Sequence, residues 1–226
     1  MAGTDKFLNE IYDVLLAFFG PRGWWPGESR WEIMVGAVLT QVVAWKNVEK
    51  AIANLKKEGL LELESLYEAE EEKIADLIKP ALYHRQKAKK LKVLSGYVMD
   101  NYHGDLDLMF KKDLYVLRRE LLDLWGIGPE TADSILLYAG DKPVFVVDAY
   151  TIRIFSRLGM VHEKISYKEM QDLIQRNLAS DVQMFNEYHA LLVALGANYC
   201  LKSNPKCKIC PLNNFCNYFK ISRKNK

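Results

Sequence analysis

The sequence predicts an all-α fold, and three observations carry that prediction. Apolar residues recur at helical spacing along almost the whole chain, strand-like alternation is scarce, and Gly, Pro, Asn and Asp punctuate the periodic runs. Half of the 226 residues are hydrophobic, enough to bury a core in one large domain or in two small, interlocked ones.

The first element is an amphipathic run whose apolar positions are Leu8, Ile11, Tyr12, Leu15 and Leu16, and the second carries Ile33, Val35, Ala37, Val38 and Leu39. Further helices are expected over roughly 44–58, 84–101, 113–123, 130–139, 149–158, 167–178 and 183–198. Val144-Phe145-Val146-Val147 is β-flavoured but too short to build a sheet, so it reads as a buried extended connector. The acidic run Glu68 to Glu72 and the polar tail Ser222 to Lys226 are the only biased segments, and the tail is expected to fray. No long linker and no internal repeat divides the chain. Two lobes are expected: residues 30–140 as a central helical domain, and residues 1–29 with 141–226 as the second.

A formal charge of +2 offers no whole-molecule attraction for a polyanion, so any nucleic-acid case rests on local clusters. The densest is His84, Arg85, Lys87, Lys89, Lys90 and Lys92; a second is Lys202, Lys206, Lys208, Lys220, Arg223, Lys224 and Lys226. Either segment taken alone reads as a solvated helix face. The first residues show no basic leader followed by a long apolar run, and no stretch reaches the ~18 apolar residues of a membrane span. A soluble, cytoplasmic protein is expected.

The most informative segment is Leu121-Leu122-Asp123-Leu124-Trp125-Gly126-Ile127-Gly128-Pro129-Glu130-Thr131-Ala132, a helix, a tight Gly-Ile-Gly turn and a second helix within 113–140. Pro129 suits a first helical turn. Two glycines let backbone amides face outward, and the following helix adds its positive end, so the turn can hold a phosphate oxygen independently of base sequence. Downstream, Asp148 precedes the helix bearing Arg153 and Arg157. It suits an N-cap, worth about 1 kcal/mol, and such a position also suits a carboxylate that must stay ionised near a developing sugar cation.

Cys200, Cys207, Cys210 and Cys216 form a C-x6-C-x2-C-x5-C loop, too localised to staple the chain through disulfides and able to wrap four thiolates around one centre. Coordination chemistry leaves zinc and a [4Fe-4S] cluster both open. The four histidines show no pairing that suggests a triad or metal site, and His189 is expected to hydrogen-bond within the last helical region, outside the chemistry.

Leu124 to Ala132 followed by Val147-Asp148 resembles the hairpin and catalytic loop of the endonuclease III superfamily of DNA glycosylases. Gly36-Ala37-Val38-Leu39-Thr40-Gln41 resembles that family's helix ending in a glutamine that wedges into DNA, and Tyr83 with Lys87-Ala88 and Leu91 resembles another of its stretches. The likeness runs from about residue 30 to 218. It implies a two-lobed helix-hairpin-helix glycosylase acting as a monomer on duplex DNA that contains a damaged base. Asp148 would then be catalytic, and Gln41, Gly126, Ile127, Gly128, Glu130 and Thr131 would touch DNA. The cysteine spacing also resembles the family's cluster loop, which implies a structural [4Fe-4S] cluster at 200–216.

Lyase-competent members carry a lysine where this chain has Glu130, and a carboxylate cannot form an imine, so base excision without efficient strand cleavage is expected. The hairpin and Trp24-Trp25-Pro26 resemble the branch acting on 3-methyladenine and other N-alkylated purines. Such bases are cationic and stack well on indoles, so Trp24, Trp25 and Trp45 with Pro26 are the expected base pocket. One departure is Val42-Val43 where a polar Asn-Thr pair would follow Gln41. The rivals are a bifunctional glycosylase and lyase for oxidised pyrimidines, with Lys87 supplying the amine, and a non-enzymatic DNA-binding scaffold.

Overall fold

The computed structural model describes residues 3–224. Among these the chain forms thirteen α-helices and no strand. It divides into two compact units, Trp25–Lys142 and Met1–Trp24 with Pro143–Lys226.

In the unit Trp25–Lys142, helix α2 (Arg30–Leu39) is the central element: Trp31, Met34, Val35, Ala37, Val38 and Leu39 are all buried. Ser29 caps it, its hydroxyl accepting from the Glu32 N–H at 3.1 Å. Helix α3 (Trp45–Lys57) buries one stripe, Val48, Ala51, Ile52 and Leu55, at helical spacing. Three short helices follow the same logic but escape a periodicity reading because each has only five to seven residues: α4 (Leu63–Glu68), α5 (Glu71–Leu77) and α7 (Leu106–Phe110). The acidic run is thus structured, closing α4 and opening α5, where carboxylates complement the helix N-terminus. The long α6 (His84–Tyr102) packs against α2, α4 and α5. The hairpin consists of α8 (Leu114–Asp123) and α9 (Pro129–Ser134), and α9 continues as a wider π-turn over Ile135–Ala139. The single helix expected over 130–139 therefore changes its winding half-way.

In the other unit, α12 (Val182–Asn198) is buried on most sides and packs against α1 (Thr4–Phe19) and α10 (Ala149–Leu158). Gly196 makes the α10 contact possible, since a Cβ there would lie 2.4 Å from the Tyr150 ring. Helix α11 (Tyr167–Asn177) starts with a capping box between Ser166 and Glu169. The connector Val144–Val147 is buried and forms neither helix nor strand. Lacking a strand partner, it takes its hydrogen bonds from side chains: Phe145 N–H donates to Gln175 Oε1 at 2.8 Å, and Gln171 Nε2 donates to the Phe145 carbonyl at 2.7 Å. Helix α13 (Asn217–Lys224) carries the tail as helix as far as Lys224, and the rest of the segment expected to fray lies outside the described residues. No helix among the described residues is long and apolar enough to cross a membrane.

Candidate active site

The hairpin turn is built by two different glycine requirements. Gly126 has φ 83°, a left-handed conformation, and any Cβ there would meet the Lys90 side chain at 2.6 Å. Gly128 has an ordinary extended backbone, and a Cβ would meet nothing within 4 Å, so this side of the turn is open. Between them Ile127 is buried and anchors the loop. The two hairpin helices are clamped by Arg118, whose Nε and Nη2 donate to the two carboxylate oxygens of fully buried Asp133 at 2.6 and 3.0 Å. Glu130 stands exposed in the first turn of α9.

Gln41 is turned onto this hairpin. Its Nε2 donates to Thr131 Oγ1 at 2.8 Å and to the Gly126 carbonyl at 3.3 Å, while Lys90 Nζ donates to its Oε1. The residue that stands out into solvent at the end of α2 is Val42, 83% exposed and at φ 58°. That backbone conformation is strained for a β-branched residue.

The basic segment on α6 is not a uniformly solvated face. Lys87 is buried, its Nζ donating to the Leu39 carbonyl at 2.8 Å and the Ala81 carbonyl at 2.6 Å, and burial followed by the nearby Lys90 charge lowers its pKa to about 8. Lys92 donates to the carbonyls of Tyr67 and Ala69 at the end of α4. Arg85 and Lys89 are the exposed cations, Lys89 lying 4.5 Å over the Trp125 ring.

Of the expected base-pocket residues, Trp25 and Trp45 meet edge to face at 5.2 Å in the unit Trp25–Lys142, and Tyr138 from the π-turn completes the group 5.1 Å from Trp25. Trp45 donates its indole N–H to Glu49 at 3.0 Å. Pro26 is exposed, and Trp24 belongs to the other unit.

Asp148 is the N-cap of α10. Its Oδ1 accepts from both the backbone N–H and the hydroxyl of Thr151, at 2.7 and 2.8 Å. Its Oδ2 faces the Nε2 of His189 from α12 at 3.7 Å, and both side chains are nearly buried. Burial works to raise the carboxyl pKa, but the His189 imidazole and the two Thr151 donors outweigh it, so Asp148 is held below the usual carboxylate value. An ionised carboxylate with one oxygen anchored and the other differently engaged is equipped to stabilise positive charge or to orient water.

The four cysteines are all half-buried free thiols in the loop that follows α12. Two arginines of α10 dock this loop: Arg153 Nε donates to the Cys200 carbonyl at 2.8 Å, and Arg157 donates to the Leu201 carbonyl at 2.8 Å and to Cys200 Sγ at 3.3 Å. The thiols feel one another. Burial pushes Cys210 up to about 11, with Cys200, Cys216 and Cys207 adding to the rise. No three His, Cys, Asp or Glu among the described residues converge as a single metal ion would require.

Known proteins resemble this chain in sequence and in fold. The sequence profile of the HhH-GPD superfamily of base excision DNA repair proteins matches residues 35–180, from α2 through the hairpin and Asp148 to the end of α11. The chain belongs to that superfamily. This glycosylase is 47% identical over 213 residues, 93% of its length and 96% of the relative's, to a Methanocaldococcus jannaschii protein provisionally named a DNA repair glycosylase. Endonuclease III of Thermotoga maritima is 29% identical over 188 residues, 83% of each chain. The crystal structure of an H. pylori 3-methyladenine DNA glycosylase bound to 1,N6-ethenoadenine superposes with a TM-score of 0.74 at 28% identity, covering 85% of this chain and 96% of that one.

Two groups in the glycosylase escape a sequence reading. His189 follows Asp148 by 41 residues on a different helix, and no local spacing links them. Tyr138 meets Trp25 from within the π-turn, a change of winding that no residue spacing announces.

Proposed function

We propose that this glycosylase hydrolyses the N-glycosidic bond of N-alkylated purines, of the 3-methyladenine and 7-methylguanine type, in duplex DNA and does not cleave the strand efficiently. The observation that carries this reading is the buried, ionised Asp148, positioned at a helix cap with its two oxygens in different environments. An N-alkylated purine is already cationic, so its C1′–N bond breaks with the bonding electrons leaving on a neutral base and needs no general acid. The sugar is left as an oxocarbenium-like cation, which the Asp148 carboxylate stabilises electrostatically. Water then adds to C1′ and gives its proton to bulk solvent, leaving the abasic hemiacetal. The hairpin's open face at Gly128 supplies the sequence-independent grip on the phosphate backbone, so binding should weaken with salt.

The substrate class rests on the paired indoles of Trp25 and Trp45, which with Tyr138 offer electron-rich faces to a cationic base at about 0.5–2 kcal/mol per contact, and on the similarity to the H. pylori 3-methyladenine glycosylase. The absence of strand cleavage rests on Glu130 in the hairpin and on the enclosure of Lys87, whose Nζ is committed to two carbonyls rather than offered to a sugar. The four thiols fit a [4Fe-4S] cluster better than a zinc ion. The sulfurs are free and half-buried, Cys200, Cys207 and Cys216 all bear on the ionisation of Cys210, and the loop carries one C-x2-C pair where zinc sites more often carry two. Cys200, Cys207, Cys210 and Cys216 would hold it, and when bound it would supply a structural pin for the lysine-bearing loop. The similarity to the Thermotoga endonuclease III favours a second reading, a lyase acting on oxidised pyrimidines.

Base release from duplexes carrying 3-methyladenine or 7-methylguanine, with and without hot alkali, tests the proposal. Free base with strand breaks only after alkali supports it. No release, together with cleavage of oxidised-pyrimidine duplexes and a borohydride-trapped adduct, transfers the chain to the lyase reading.

A further inference from the structure

The reading of Asp148 as the reacting carboxylate leaves one buried, chemistry-bearing neighbour without a task. His189 sits on α12, 5% exposed, its ring edge-on to Phe145 at 6.4 Å and its Nε2 3.7 Å from Asp148 Oδ2. The spacing is set by the helix pair rather than by chance. Gly196 lies seven residues after His189 on the same face of α12, and Tyr150 lies two after Asp148 on α10, so the close approach at Gly196 is what lets α12 carry an imidazole up to the cap of α10.

Thr151 occupies one carboxylate oxygen with two donors; it leaves Oδ2 without a fixed partner from its own helix. An imidazole presents an N–H at Nε2 both as the matching neutral tautomer and when protonated. A separation of 3.7 Å is longer than a hydrogen bond, and such contacts in free enzymes commonly tighten in the substrate complex.

Resting on the assignment of Asp148 as the reacting carboxylate, we infer that His189 is its positioning residue: the imidazole fixes Oδ2 in one orientation and keeps it ionised, so that the carboxylate meets the substrate preformed. The groups bearing on Asp148 are His189 from α12 and Thr151 from its own helix, so removing the imidazole leaves burial opposed by Thr151 alone. The carboxyl pKa must then rise.

Single-turnover base release at saturating alkylated duplex is compared for the wild type, His189→Phe, His189→Gln and Asp148→Asn, alongside DNA affinity and the 13C titration of the Asp148 carboxyl carbon. His189→Phe is expected to slow release by about 10- to 100-fold with unchanged affinity, to move the acid limb of the rate profile to higher pH, and to raise the pH at which the carboxyl carbon titrates. His189→Gln, which retains an N–H donor of similar reach, restores most of the rate. A folded His189→Phe with the wild-type rate, acid limb and carboxyl titration overturns the inference. Should His189→Phe not fold, His189→Asn, too short to reach Oδ2, takes its place with the same expectations. An active Asp148→Asn sinks the carboxylate assignment itself. The carboxyl titration decides the role of His189 even if alkylated purines prove to be the wrong substrate.

Discussion

At Asp148 two demands meet in one side chain. Its Oδ1 caps α10 through Thr151, while the His189 imidazole, with those bonds, holds the carboxyl in its ionised form against the cost of burial. Asparagine is as good an N-cap as aspartate but carries no charge, so Asp148→Asn separates the two demands. Base release is expected to fall by about 100-fold or more, while the helix, the melting temperature near neutral pH and DNA affinity persist; a folded variant that still turns over removes Asp148 from the chemistry. The same substitution has a pH signature. The folded pKa lies below the ordinary value of 3.8, so the carboxylate contributes stability that is complete above about pH 4 and is lost as pH falls through the folded value. Denaturation midpoints measured from pH 6 downward should show a shallower acid loss in Asp148→Asn than in the wild type. Gln41 shows the opposite relation between sequence and structure. Its place at the end of α2 is legible from the motif, but the direction of its amide, onto Thr131 and Gly126 under Lys90, is set by residues 49 to 90 positions away.

At the scale of the element, the hairpin depends on a side-chain clamp as much as on its glycines. Asp133 is fully buried and takes both oxygens' bonds from Arg118. Removing the partner of a buried charge costs more than the pair itself is worth, so Arg118→Met should destabilise the fold by about 3 kcal/mol in urea denaturation, and it should weaken DNA binding as the turn loosens. An unchanged midpoint would show that the pair is idle. Glu130 lies exposed one position after Pro129. Glu130→Lys places an amine there at a cost of about 0.3–1 kcal/mol from the helix N-terminus. It should gain a borohydride-trapped adduct on abasic duplex that the wild type lacks; equal trapping in both would assign lyase chemistry to another residue.

At the scale of the whole molecule, the cysteine loop belongs to the unit that carries Asp148. It lies against Arg153 and Arg157 of the helix that Asp148 caps. If the proposed cluster binds here, Cys207 and Cys210, both raised by burial, would have to lose their protons, so assembly would release protons and stabilise the folded unit. Iron removal, or Cys210→Ser, should abolish visible charge-transfer absorption, lower the melting temperature and weaken DNA affinity together. A colourless protein as purified under anaerobic, iron-replete conditions, with full stability, would exclude the cluster.

The all-α class, the hairpin, the cysteine loop and the position of Asp148 were all legible in the sequence, because each depends on residues close along the chain: 3.6-residue periodicity, a Gly-Ile-Gly turn, four thiols within 17 positions, an aspartate ahead of a helix. The short helices α4, α5 and α7 were not, since five to seven residues hold too few turns to show a period. Tertiary structure alone decided that Lys87 is enclosed, that Gln41 is clasped, that Tyr138 joins Trp25, and that His189 meets Asp148. Those outcomes depend on which helix faces come together at an ångström's tolerance, a property of the packed core that no local spacing encodes.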